Sequence, residues 1–104
     1  MFFLRRTVRA YRKAKRRLRR RLEPQHKRVQ RGLAARCEEY RKSHEEWRTS
    51  GFGEELRRRT QRKLAAIFKY AKANWQNGNQ RLICDILRQY QIPGGRRFKT
   101  LRRT

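Results

Sequence analysis

The chain is expected to be all-α, and three observations carry that expectation. Apolar residues recur at three- and four-residue steps along most of its length, which gathers them on one stripe of a helix. Clusters of turn-forming residues are few: Thr49-Ser50-Gly51-Phe52-Gly53, Asn77-Gly78-Asn79 and Pro93-Gly94-Gly95. No segment alternates apolar and polar residues as a half-buried strand would.

Taken in order, the first stripe is Leu4, Val8, Tyr11, Leu18 and Leu22, with Lys15 in the gap and arginines around it, so residues 1–23 read as an extended basic helix. Pro24 predicts a break or bend, because proline is tolerated in the first helical turn and its predecessor avoids the α region. From about residue 25 to 48 a long central helix follows on His26, Val29, Leu33, Cys37, Tyr40, His44 and Trp47. Glu38 with Lys42, and Arg41 with Glu45, are spaced for i,i+4 pairs worth a few tenths of a kcal/mol each. A third helix, about 53–76, places Leu56, Thr60, Leu64, Ile67 and Ala71 on one side, with Glu54 and Glu55 suited to its first turn. The Asn-Gly-Asn loop then supplies a stop and an N-cap, so a fourth helix over about 80–90 closes an αα-hairpin. Its Leu82, Ile83, Ile86, Leu87 and Tyr90 are expected to pack on Leu64, Ile67, Phe68 and Trp75, with Tyr40 and Trp47 as further packing residues.

Composition limits what this helical chain can be. Its 104 residues are 36% hydrophobic and 38% charged, against about 45–50% and about 25% in ordinary globular domains, so little independent core is expected. The net charge of +24 is large enough for self-repulsion to oppose a compact fold, which calls for an external polyanion. The charge is also unevenly placed. Residues 1–22 hold eleven Arg or Lys and no acid, residues 56–84 carry +8 and residues 91–104 carry +5, while seven acids and seven bases make residues 23–55 neutral. This divides the chain into a basic arm (1–23), a helical region (24–90) and a basic tail (91–104).

The basic set is 24 Arg to 8 Lys. A guanidinium fork binds phosphate bidentately and stacks on bases, so the bias favours structured RNA as partner. In the arm, the candidate contacts are Arg5, Arg6, Arg9, Arg12 and Lys13, then Arg16, Arg17, Arg19 and Arg20. Along the third helix, Arg58, Arg62, Lys69 and Lys72 share a side with Ala65 and are spaced to follow a phosphate backbone. In the tail, Arg96, Arg97, Lys99, Arg102 and Arg103 accompany the flexible glycines, and Phe98 is free to stack on a base or fill a protein pocket.

Other functions find less support. Cys37 and Cys84 are too few for a disulfide framework and suit a reducing compartment. No run approaches the ~20 apolar residues of a membrane span, and the arm's bulky apolar residues stop at Phe3, which weakens a membrane-surface reading. His26, Cys37 and His44 share a stripe, but Cys37 and His44 lie about 10 Å apart along a helix axis, too far to ligate one zinc. No metal or other cofactor is expected. The acids are mostly adjacent pairs beside Arg or Lys, and there is neither a glycine-rich phosphate loop nor a nucleophile with an evident base, so no enzyme and no small-molecule substrate is expected.

With MFFLRR at its start and GGRRFKTLRRT at its end, the chain resembles a small helical ribosomal protein of a mitochondrial ribosome. That resemblance implies a structural role in the mitochondrial matrix, binding rRNA phosphates and neighbouring ribosomal proteins. The arm also resembles a mitochondrial import presequence in being Arg-rich and free of acids. As the first of three basic zones, it is expected to remain as an RNA contact. Ala10-Tyr11-Arg12 is similar to the LYR signature of small mitochondrial helical proteins with its leading Leu replaced. The alternative expectation is a protein-binding subunit or assembly factor of another mitochondrial complex, using the later helices.

Overall fold

The computed structural model describes residues 2–76 and 78–98, without the side chains of residues 2–4, 19 and 21–23. Helix α1 spans Phe2–Thr49, α2 Glu54–Ala73 and α3 Gln80–Gln89, and a 3-10 turn follows at Gly95–Arg97. Among the described residues there is no strand, so the fold is all-α.

The largest departure from the sequence expectation is at Pro24. Proline inside a helix removes a hydrogen bond and crowds the carbonyl four residues back, at a cost of about 3 kcal/mol. Yet α1 runs unbroken through Pro24 for 48 residues, replacing the two helices expected on either side of it. The flanks supply the physical reason. Residues 12–22, just before it, are all Arg, Lys, Ala or Leu, which are strong helix formers. Beyond the proline, Val29, Leu33 and Cys37 are fully buried and hold the helix against α2 and α3.

The second half of α1 and α2 form an antiparallel pair joined by a tight loop. Gly51 (φ 83°) and Phe52 (φ 63°) turn the chain, with the Ser50 N–H donating to the Glu46 carbonyl and the Phe52 N–H to that of Trp47. Across the pair, Ser43 meets Thr60 through their hydroxyls at 2.8 Å, and Lys63 reaches Glu39 at 3.1 Å. Thr60 also donates to the Leu56 carbonyl at 2.8 Å, so in the buried contact Ser43 is the donor. Removing the acceptor alone leaves that hydroxyl buried without its partner. Thr60→Val should therefore cost about 1–2 kcal/mol, while Ser43→Ala with Thr60→Val is nearly neutral. Thermal denaturation of the two single variants and the double variant measures the difference; simple additivity of the single effects would show that the contact contributes nothing.

The core lies on one side of α1. Val29, Leu33, Cys37 and Tyr40 meet Ile67 and Ala71 of α2 and Ile83, Ile86 and Leu87 of α3, with Leu64, Phe68, Tyr70, Trp75, Leu82 and Tyr90 packed around them. The apolar faces predicted for the second half of α1, for α2 and for α3 supply this core, whereas the predicted stripe of the arm does not: Val8, Tyr11 and Leu18 are exposed, and the side chains of Leu4 and Leu22 lie outside the described residues. The expected αα-hairpin of the last two helices is also corrected, because α3 makes its main helix contact with α1. Both α2 and α3 lie against α1. Two residues of the expected tail join them: Ile92 is 5% exposed and Phe98 only 1%. Of the two fates open to Phe98, the structure shows the protein pocket, and the pocket belongs to this chain. Its ring lies 5.7 Å from Phe68 and edge-on to Trp75 at 5.0 Å.

Smaller differences concern caps and pairs. Helix α2 ends at Ala73 rather than near residue 76, and Asn74 at its C-cap donates from Nδ2 to the Tyr70 carbonyl. Asn79 precedes α3 but makes no side-chain cap; its Nδ2 donates back to the Asn74 carbonyl at 3.3 Å and ties the loop together. Neither expected i,i+4 pair forms. Glu45 takes Arg48 at 2.8 Å, and Arg41 leans over the Tyr90 ring.

Candidate nucleic-acid interface

The molecule is elongated because α1 outruns its partners. Its extents are 69 × 28 × 19 Å and its radius of gyration is 18.9 Å, against about 13 Å for a compact chain of this length. The body begins at Val29, the first fully buried of the described side chains, and the described side chains from Arg5 to Arg20 are all exposed.

Along that arm the side chains of Arg5, Arg6, Arg9, Arg12, Lys13, Arg16, Arg17 and Arg20 are exposed; that of Arg19 lies outside the described residues. No acid occurs between residues 5 and 22, so that stretch of the helix supplies these cations no carboxylate of its own. The apolar stripe between them is narrow and uncovered, with Val8 43%, Tyr11 67% and Leu18 55% exposed. Such a rod presents guanidinium groups on most of its circumference to an approaching polyanion.

The basic cluster on α2 is reshaped by acids that the linear sequence keeps distant. Lys63 pairs with Glu39 at 3.1 Å and Arg59 reaches Glu46 at 4.0 Å, both carboxylates belonging to α1. Within α2, Glu54 holds Arg57 at 2.8 Å and Arg58 at 3.5 Å. The guanidinium groups of Arg57 and Arg58 keep the Glu54 carboxyl below its ordinary range, as Arg48 does for Glu45. The stripe proposed from spacing is thus reduced: Arg62, Lys69 and Lys72 are exposed without an ion-pair partner among the described residues, whereas Arg58 is shared with Glu54.

A third basic feature lies between α3 and the 3-10 turn. An open groove of about 1200 Å³ is lined by Arg81, Arg88, Arg96 and Arg97, with Trp75 and Ile92 among its apolar residues. Arg96 and Arg97 belong to the expected set; Lys99, Arg102 and Arg103 lie outside the described residues. Arg81 and Arg88 were not singled out from sequence. Their seven-residue spacing, which puts both on one side of α3, was the available signal.

The groove depends on two glycines. Gly94 sits at φ 81°, where residues with a Cβ are strained, and a Cβ on Gly95 would come within 3.1 Å of the Leu87 Cβ. The turn can therefore lie directly on α3, with Phe98 anchored behind it. Both cysteines are free. Cys37 is fully buried, and burial with the Glu38 carboxylate nearby pushes its thiol up to about 11. It is thus an unreactive thiol at neutral pH, whereas the half-buried Cys84 lines the groove.

Among the described residues no three His, Cys, Asp or Glu side chains gather as a metal site requires. Among them, too, no helix is long and apolar enough to cross a membrane. Comparison with protein-family models, with curated proteins and with solved structures returns no match for this chain.

Proposed function

We propose that the protein is a structural RNA-binding component of a ribosome, of mitochondrial type, working in the matrix. It would neutralise rRNA phosphates and bridge neighbouring ribosomal proteins, with no catalysis of its own. The observation that carries this reading is the arm. A helix that projects from its body with every described Arg and Lys exposed, and no acid from residue 5 to 22, gains most from a surface of closely spaced phosphates. The 24 to 8 excess of Arg over Lys adds the planar, bidentate groups that suit RNA phosphates and exposed bases.

Sedimentation tests the reading. The protein should travel with ribosomal particles in a gradient at low salt, leave them at high salt, and move to the top after RNase treatment. A protein that stays with a large complex through RNase digestion would refute the RNA role. That outcome would favour the second reading, a subunit or assembly factor of another mitochondrial complex, for which the uncovered Val8, Tyr11 and Leu18 offer a docking stripe.

A further inference from the structure

We infer that the groove between α3 and the 3-10 turn seats an unpaired segment of RNA, a contact distinct from the arm's phosphate binding; this rests on the RNA-binding reading above. The charge of the lining selects the class of ligand. Arg81, Arg88, Arg96 and Arg97 face one carboxylate, Asp85, leaving an excess of three positive charges, and no ion pair joins Asp85 to these arginines among the described residues. All four guanidinium groups are exposed and available to phosphate oxygens.

Shape and chemistry then distinguish unpaired from paired RNA. Small-molecule pockets run to roughly 300–1,000 Å³, and at about 1200 Å³ this groove has room for more than one nucleotide. Half-buried Trp75 gives it an aromatic surface suited to the face of a base, which a duplex keeps inside its own stack. Gln80 and Gln91 bring amides that both donate and accept, as base edges require. The walls are pre-formed. Gly94 and Gly95 hold the turn on Leu87 while Phe98 is buried beneath it, so little ordering entropy is left for the complex to supply.

The test uses the full chain, a short unpaired RNA oligonucleotide of mixed sequence and an RNA duplex of equal charge. Cys84 reports occupancy, because it lines the groove, while buried Cys37 stays unlabelled in the folded protein. The unpaired oligonucleotide should slow alkylation of Cys84, and the duplex should not. Changing Arg88, Arg96 and Arg97 together to Gln should abolish that protection and weaken the unpaired RNA by ~10-fold more than the duplex. Changing Arg5, Arg9 and Arg12 to Gln should weaken both RNAs and leave the protection in place. Unaltered Cys84 reactivity with the oligonucleotide bound would overturn the groove while leaving RNA binding by the arm intact. Protection by an acidic peptide but not by RNA would equally overturn it, in favour of a protein ligand. Failure of the wild-type chain to bind either RNA would instead remove the underlying reading.

Discussion

Phe98→Ala is expected to lower the thermal midpoint by ~15 °C or more. Emptying a well-packed site of this size costs about 3–5 kcal/mol, through lost transfer energy and the cavity left behind. Each kcal/mol shifts the midpoint of a domain near this size by about 4–8 °C. Phe98 qualifies because it is 1% exposed and touches aromatic partners on two sides, Phe68 of α2 and Trp75 of the α2–α3 loop. Against a total of roughly 5–15 kcal/mol for a small domain, the loss is a large share. The effect should begin at the 3-10 turn and spread to α3. Circular dichroism gives the midpoint, and alkylation of Cys37, protected by burial in the intact core, reports when α1 separates from its neighbours. A midpoint within a degree or two of wild type would show that Phe98 is not holding the turn to the body.

Why that residue looked like part of a free tail is instructive. In sequence, Gly94 and Gly95 followed by five basic residues in the last nine read as a flexible basic extension. Local composition carries no trace of the long-range fact that decides the matter: Leu87 leaves space for Gly95, and Phe68 and Trp75 leave an opening for a ring. The interior of the helices was more legible. Val29, Leu33, Cys37, Ile67, Ile83 and Leu87 are buried where a 3.6-residue period places them, because packing on one side is what makes a period visible. Pro24 misled for the opposite reason. A local preference of about 3 kcal/mol is set against strong helix formers before it and a C-terminal half whose one apolar face packs on both α2 and α3.

The candidate interface divides along the same line. The arm was readable because its described Arg and Lys side chains are exposed and no acid lies between residues 5 and 22, so its charge pattern in sequence is close to its charge pattern in space. On α2 it was not. Glu39 and Glu46 belong to the neutral stretch of the sequence, but the antiparallel pairing of α1 and α2 brings them to Lys63 and Arg59. Exposed pairs of this kind are worth at most about 1 kcal/mol each, so they stabilise little. Their consequence is directional: they reduce the free charge near the α1–α2 loop and leave Arg62, Lys69 and Lys72 as the part of α2 open to phosphate.

The second large effect is on RNA affinity. Changing Arg5, Arg6, Arg9, Arg12, Arg16, Arg17 and Arg20 together to Gln should weaken RNA binding at low salt by at least ~100-fold and make log K versus log salt shallower by roughly 6, at about 0.9 per lost phosphate contact. The same change at Arg62, Lys69 and Lys72 should reduce the slope by roughly 3 or less. Neither set touches the core residues, and removing charge from a +24 chain relieves self-repulsion, so the thermal midpoint should hold or rise. Filter binding over a salt series separates the arm from α2, because each contributes its own increment of slope. If the arm works instead by docking a protein, the arginine variants will keep their partner, and polar replacement of Val8, Tyr11 and Leu18 will release it. The two results cannot both follow from one mode of binding: phosphate contacts are spread around the rod and sensitive to salt, whereas a protein groove would need the narrow apolar stripe and tolerate salt.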